Sequence, residues 1–300
     1  MSTRLTRTGD PNLQDPNSKD PNLEDPNVTD PNLTEPVVTG ARVVGSWRAA
    51  LLVVENHWTW YRRNWRATVI SSFLQPVLFL LAMGVGFGSQ VQVGEATDGY
   101  RYVVFLAPAL LVITAVQNSM FESTWSVFAA FKWQRTYFAM VSSPLTSTQV
   151  LYGQLLWNAV RLAAGAIVFL GIAVALGAIT SPSALLAVPF AVLAGMAFSA
   201  PAVAYTATRE KPDSFNAIFR FLVMPMTLFT GGFYPMSQLP DWIHPLAWVT
   251  PVWHGIELAR GVTFGTLRLL PALGHVAYLC ALIALGVVLG RRYFHRRLAV

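Results

Sequence analysis

Several stretches of this 300-residue chain run for about 20 residues with at most one charged side chain. An α-helix rises ~1.5 Å per residue, so each such run matches the roughly 30 Å hydrocarbon thickness of a bilayer. Of all residues 54% are hydrophobic and 12% charged, whereas a soluble domain, which needs a polar skin, carries about a quarter charged residues. Segments of this length satisfy their own backbone groups in lipid only as helices. The pattern predicts an all-α polytopic membrane protein with six transmembrane helices, at about 67–88, 102–121, 155–179, 184–205, 215–233 and 270–289.

The segment 1–40 has a different character. A five-residue unit beginning DPN repeats from Asp10 to Thr34, and the opening residues carry no apolar signal-peptide core. Each proline removes a backbone donor and biases its predecessor toward extended geometry, which predicts a disordered tail. Residues 41–66 return to helical spacing: Leu51, Val54, Trp58, Tyr61 and Trp65 recur at steps of three and four beside Arg62, Arg63 and Arg66. This predicts a cytoplasmic amphipathic interface helix, with Trp58, Arg62 and Arg63 toward anionic lipid headgroups. A face packed on protein is the plainer alternative. Residues 67–297 then form the six-span domain.

Orientation follows from the basic residues. Sixteen Lys and Arg lie before the first span, between the second and third, between the fourth and fifth, or after the sixth; the other connections hold Arg101, Arg260 and Arg268. That bias predicts a multi-pass membrane protein with both termini cytoplasmic. The net charge of +6 belongs largely to these flanks, so it argues for membrane lipids as partners and against nucleic acid. The single cysteine, Cys280, excludes an intrachain disulfide.

The connection before the sixth span, FTGGFYPMSQLPDWIHPLAWVTPVWHGIELARG at 229–261, is then extracellular. It is too apolar for an aqueous loop, and Pro235, Pro240, Pro245 and Pro251 forbid a long helix. Trp242, Trp248 and Trp253 favour headgroup depth, which predicts re-entrant half-helices buried against protein. Within the spans, Gly84 and Gly88 permit a close helix approach. Arg161 and Arg220 are costly in lipid; each either anchors by snorkelling or lines a translocation route. Glu122 ends the second span, and the connection after it predicts a short amphipathic helix at the cytoplasmic face.

Catalytic patterns are missing from the sequence: it has no GxxxxGK[ST] loop, no HExxH and no GxSxG. His254 and Glu257 form a lone polar pair at helical spacing. The chain reads as a transport subunit, not an enzyme, that takes its energy from elsewhere.

The runs FESTWSVFAAFKWQRTYFAMVSSPLTSTQVLYGQLLW at 121–157 and LFTGGFYPMSQLPDWIHPLAWVTPVWHGIELARG at 228–261 resemble permeases of ATP-binding-cassette exporters. The similar branch contains the nodulation lipo-oligosaccharide exporter permease and the daunorubicin-resistance permeases. The resemblance covers roughly 45–297 and implies a prokaryotic-type plasma membrane. It implies a paired permease, with a second copy or a related chain, bound to two cytoplasmic ATPase subunits that hold ATP and Mg; no cofactor is implied on this chain. It implies outward movement of an amphiphilic, lipid-linked or drug-like substrate. By the same resemblance, Phe131, Lys132, Trp133, Gln134, Arg135 and Thr136 match the ATPase-coupling element. Gly231, Gly232, Pro235, Leu239 and Pro240, with Pro251 and Glu257 through Arg260, match the extracellular gate. The DPN tail and Arg220 depart from the family pattern.

Three other readings compete. A membrane-embedded enzyme acting on lipid-linked substrates would need Glu122, Glu257 and a histidine to converge. An ion-coupled secondary transporter predicts broken spans paired in inverted halves. A scaffold predicts assembly without cargo movement.

Overall fold

The computed structural model describes residues 45–299, apart from 87, 89, 91–93, 95, 96, 98 and 180. The predicted tail at 1–40 lies outside the described residues, as do the side chains of Trp65 and Arg66. Every described element is helical.

Helix α1, Ser46–Phe79, passes without a break through the point where the sequence pattern divides an interface helix from a first span. No glycine or proline stands between 46 and 75 to stop it. It continues as a π-helical stretch, Leu80–Gly86, whose Gly84 meets the start of α2, Tyr102–Phe121. A Cβ at Gly84 would lie 2.7 Å from Val103 Cγ2, so this glycine serves packing within the chain.

The predicted cytoplasmic helix after Glu122 is largely an extension of the second span. A π turn, Glu122–Ser126, joins α2 to α3, Val127–Lys132, in one 31-residue rod. A change from apolar to polar composition does not interrupt backbone hydrogen bonding, so the helix runs on past the lipid-length segment. The break comes at Arg135, whose φ of 53° turns the chain into α4, Thr136–Val141.

Helix α5, Ser147–Ala175, begins eight residues before the predicted start of the third span. Its start is set by a capping box: the Thr146 hydroxyl accepts from the Gln149 amide at 3.3 Å, and the Gln149 side chain accepts from the Thr146 amide at 2.9 Å. A 3₁₀ turn, Pro182–Leu186, leads into α6, Ala187–Thr206. The predicted fifth span is built of α7, Asp213–Ile218, a π turn, Phe219–Val223, and α8, Met224–Leu228. The proline-rich stretch then forms two 3₁₀ turns, α9, His244–Trp248, and α10, Pro251–Phe264, before α11, Leu269–Leu298.

Among the described residues four stretches are long and apolar enough to cross a membrane: Tyr102–Lys132, Ser147–Ala175, Pro182–Thr206 and Leu269–Leu298. They correspond to the second, third, fourth and sixth predicted spans. Helix α6 is the hub, packing on α2, α5, α10 and α11. Its alanine-rich face lets partners come close, which matters in lipid because apolar area alone supplies no drive between helices. The closest approach is by α11, where a Cβ at Gly286 would lie 2.7 Å from Ala200 Cβ and collide with the backbone at Pro201.

Candidate functional site

Two groups of polar residues stand at opposite ends of α2. At the first, α3 and α4 meet in a tip at which Lys132, Trp133, Gln134 and Arg135 are exposed and Thr136 half-buried. Trp133 is 63% exposed, with its ring edge-on to Phe128 at a centroid distance of 5.5 Å. Phe131, the remaining predicted coupling residue, is buried instead. Its ring lies 4.7 Å from Tyr137 and 5.0 Å from Phe294, both edge-on. The Arg297 guanidinium stacks 4.4 Å from it and donates to the Thr206 and Ala207 carbonyls at 3.0 and 2.8 Å. Lys132 and Arg297 both pair with Glu210, and the hydrogen bond from Lys132 holds that carboxyl below its ordinary range.

Beneath the tip runs a buried chain of hydrogen bonds. The Tyr137 hydroxyl donates to Gln154 Oε1 at 2.7 Å, and Gln154 Nε2 donates to Asn158 Oδ1 at 2.8 Å. Asn158 Nδ2 donates to Ser199 Oγ at 2.9 Å and to Ser123 Oγ at 3.3 Å, and the two serines are 2.7 Å apart. Burial, with the Glu122 charge second, pushes the Tyr137 phenol up, so it remains a donor. The chain therefore joins α4, α5, α6 and the π turn after α2. Such buried networks are stiff when every member is satisfied.

One turn along α5, Arg161 pairs with Glu122 at 2.9 Å and lies 5.0 Å over the Tyr61 ring. Ser126 donates to the same carboxylate at 3.3 Å. Arg161 is thus held by a charge within the protein. His57, in the part of α1 that precedes the predicted first span, stacks on Trp157 with centroids 5.6 Å apart. Burial, reinforced by the Arg161 charge, lowers its pKa to about 4.

The second group surrounds α10. Thr250 caps this helix, accepting from the Trp253 amide at 3.4 Å, and Pro251 occupies the first turn, where its missing donor is harmless. Pro235 and Pro240 each precede a 3₁₀ turn, with Leu239 buried between them. Arg260 Nη1 donates to the Gly231 carbonyl at 2.7 Å and Nη2 to that of Gly232 at 2.9 Å, while the guanidinium lies 3.8 Å from the Phe105 ring. Gly231 has φ 74°, which a side chain would strain, and a Cβ at Gly232 would lie 2.7 Å from Ile113 Cδ1. Glu257, Arg260, Pro235, Arg268 and His275 share a cleft of about 430 Å³.

The structure thus joins Gly231, Gly232 and Arg260 directly, with Pro235 and Glu257 beside them. Trp58, Arg62 and Arg63 are exposed on α1, and Arg220 is exposed in the π turn before α8, next to the 81% exposed Phe221. Glu122 and Glu257 do not converge: Arg260, one turn from Glu257, covers Phe105, and Glu122 lies about 25 Å further along the same rod by helical rise.

Sequence reasoning missed Gln154, Asn158 and their partners. Their signal was present, since Gln154, Asn158 and Arg161 stand at steps of four and three on an otherwise apolar helix and so share one face. Arg297, Phe294 and Glu210 carried no such signal, because only folding brings α11 and the segment after α6 to the end of α3.

Membrane-length helices tied by buried polar side chains, with a clamped loop at one end and an exposed tip at the other, define an all-helical polytopic membrane protein. Residues 49–264 match the family model described as ABC-2 type transporter, and the chain belongs to that family. It is similar to Nodulation protein J of Sinorhizobium fredii, at 31% identity covering 84% of this chain and 98% of that one. Nodulation protein J of Rhizobium meliloti is 28% identical, covering 81% and 95%. Inner membrane transport permease YadH of Escherichia coli is 22% identical, covering 69% and 78%. The chain is accordingly a non-catalytic permease subunit of an ABC transporter in a bacterial membrane, crossed more than once.

Proposed function

We propose that this chain pairs with a second copy or a related permease, binds two cytoplasmic ATPase subunits carrying ATP and Mg, and exports an amphiphilic, lipid-linked or drug-like cargo. The observation that carries the reading is the buried hydrogen-bonded chain running from Tyr137 to Ser199 beneath an exposed tip. A push on Trp133, Gln134, Arg135 or Thr136 is passed to α5 and α6 through short directional bonds instead of being lost in a loose loop.

In this reading the chain has six spans. Residues 67–86 and 213–228 supply the two beyond the four long apolar stretches, and the second is short, about 24 Å by helical rise. Helices α9 and α10 are the outer re-entrant halves, a role supported by the packing of α10 on α2 and α6. The basic-residue bias sets the tip and both termini in the cytoplasm and the Arg260 clamp outside. Trp58, Arg62 and Arg63 meet lipid headgroups. Arg161 is an anchor, its charge satisfied by Glu122, and Arg220 faces a second permease or the route between them. Gly231, Gly232, Pro235, Leu239, Pro240, Pro251, Glu257 and Arg260 form the outer gate. The DPN repeats of 1–40 have no assigned part.

The test is reconstitution of the permease and its ATPase in vesicles with a fluorescent single-chain lipid as cargo. Gln134→Ala and Arg135→Ala should each lower ATP-driven flux several-fold while leaving the permease folded. Flux equal to the parent protein would remove the coupling assignment. Affinity purification from native membranes without any co-purifying P-loop ATPase would remove the exporter reading itself.

A further inference from the structure

We infer that His254 and His275 are positioning residues that latch α10 to α11, and that the number of protons on the pair decides whether the latch is closed. The inference deepens the proposed outer gate and rests on that reading only for its consequence in transport.

The geometry assigns the protons. His254 Nε2 lies 2.8 Å from the Trp248 carbonyl, which can only accept, so this nitrogen carries hydrogen. In the neutral ring Nδ1 is then an acceptor. His275 Nδ1 lies 2.7 Å from it and must be the donor. The surroundings hold the pair in register: Tyr278 stacks on His254 with centroids 4.1 Å apart, and its hydroxyl donates to the Val249 carbonyl. Trp253 sets its ring edge-on to both imidazoles at 4.9 and 5.0 Å.

Two neutral rings carry two protons and make both bonds. A third proton enters at His275 Nε2, since His275 lines the cleft, and it leaves the Nδ1 contact intact as a charge-assisted bond. A fourth proton has only His254 Nδ1 to occupy. It would set two N–H donors and two positive rings against each other across 2.7 Å, with no acceptor between them. The pair therefore tolerates one charge and separates on the second, freeing α10 from α11.

Among the described residues, Glu257 and Arg260 of α10 and Arg268 at the head of α11 are the charged groups that line the same cleft as His275. From α11 the titratable neighbour is Tyr278. His244 of α9 is turned away toward the Met236 carbonyl at 2.9 Å.

The test is hydrogen exchange of the permease in lipid nanodiscs over a pH series from 7.5 to 3.5, because burial and the His275 charge hold His254 below the ordinary imidazole value of about 6.5. Rates are corrected for the intrinsic pH dependence of exchange and read by mass spectrometry for α10 and, as reference, α6. Acid should cost α10 several-fold more protection than α6. His275→Asn keeps a neutral donor near the Nδ1 position and should abolish the acid response while retaining protection at pH 7.5. His57→Phe removes the acid-sensitive imidazole at the tip end, leaves the pair untouched and should keep the response. Parent protein with equal changes in α10 and α6, an acid response persisting in His275→Asn, or its loss in His57→Phe would each overturn the latch. No ATPase is needed, so failure here is distinct from failure of the exporter reading.

Discussion

Arg161 and Arg260 are both arginines inside a helical membrane protein, and the contacts that orient them differ. Arg161, at the tip end, answers charge with charge: Glu122 lies 2.9 Å away, on the π turn after α2. Arg260, at the α10 end, answers with dipoles, donating to two successive backbone carbonyls and stacking on Phe105. The first arrangement ties one helix to another and depends on both side chains. The second fixes the backbone shape of a glycine loop, whatever side chains that loop carries. Under the proposed roles, the tip is where force enters and its helices need fixed mutual registers, while the glycine loop closes a path and needs a single shape that can be released as a unit.

The comparison is most easily broken at the ion pair. Arg161→Ala should cost about 3–5 kcal/mol because it strands the Glu122 carboxylate in a buried place. The Arg161→Met, Glu122→Gln double variant should recover most of that loss in a detergent unfolding titration. A double variant as unstable as the single one would mean that the charges are not coupled.

Acid acts at the same end through His57. Its pKa is about 4 in the folded protein against 6.5 in the open chain, so the unfolded state binds the extra proton between those values. Its stabilising contribution is complete above pH 6.5 and disappears as pH falls to 4, a change of about 3 kcal/mol. His57→Phe should flatten that part of the stability profile, measured as the unfolding midpoint against pH.

Arg260→Ala removes two charge-assisted hydrogen bonds to neutral carbonyls and should cost about 2–3 kcal/mol. Arg260→Lys should restore only a minor part, since a point ammonium cannot span both carbonyls as a planar fork does. Thermal unfolding, with thiol labelling of a cysteine placed at Ser237, reads both the stability and the opening of the loop. Full rescue by lysine would show that charge and not fork geometry holds the loop.

The smallest effect on stability is expected at Tyr137→Phe, about 1 kcal/mol for one buried hydrogen bond. Its effect on ATP-driven flux should be disproportionate, because the bond to Gln154 joins the tip to the chain that reaches Ser199. Flux that falls only as much as stability would reduce Tyr137 to a packing residue and remove the difference drawn between the two ends.

Much of the helical layout was legible in advance. The second predicted span has the observed limits of α2, and the fourth and sixth agree to within a few residues at their starts. Lipid selects on length and apolarity, and both are read directly along a chain. The start of α5 was misplaced because hydropathy was followed where a cap decides, although Thr146 and Gln149 were in view. The continuity of α2 with α3 was hidden because a composition change marks a lipid boundary, and helical hydrogen bonds cross that boundary freely.

At the two sites the division is similar. The prolines of 229–261 stood out by local chemistry, since each restricts its own backbone, whereas Gly231, Gly232 and Arg260 were marked by the resemblance to exporter permeases. That Arg260 would hold the Gly231 and Gly232 carbonyls, and that Arg161 would find Glu122, appears only in the folded bundle. The sequence by itself determined which segments are helical and apolar, where the chain must turn, and how basic residues bias its orientation, because these are sums over neighbours. Tertiary structure alone decided which distant polar groups satisfy one another, because that depends on which helix faces meet and how closely small residues let their backbones approach.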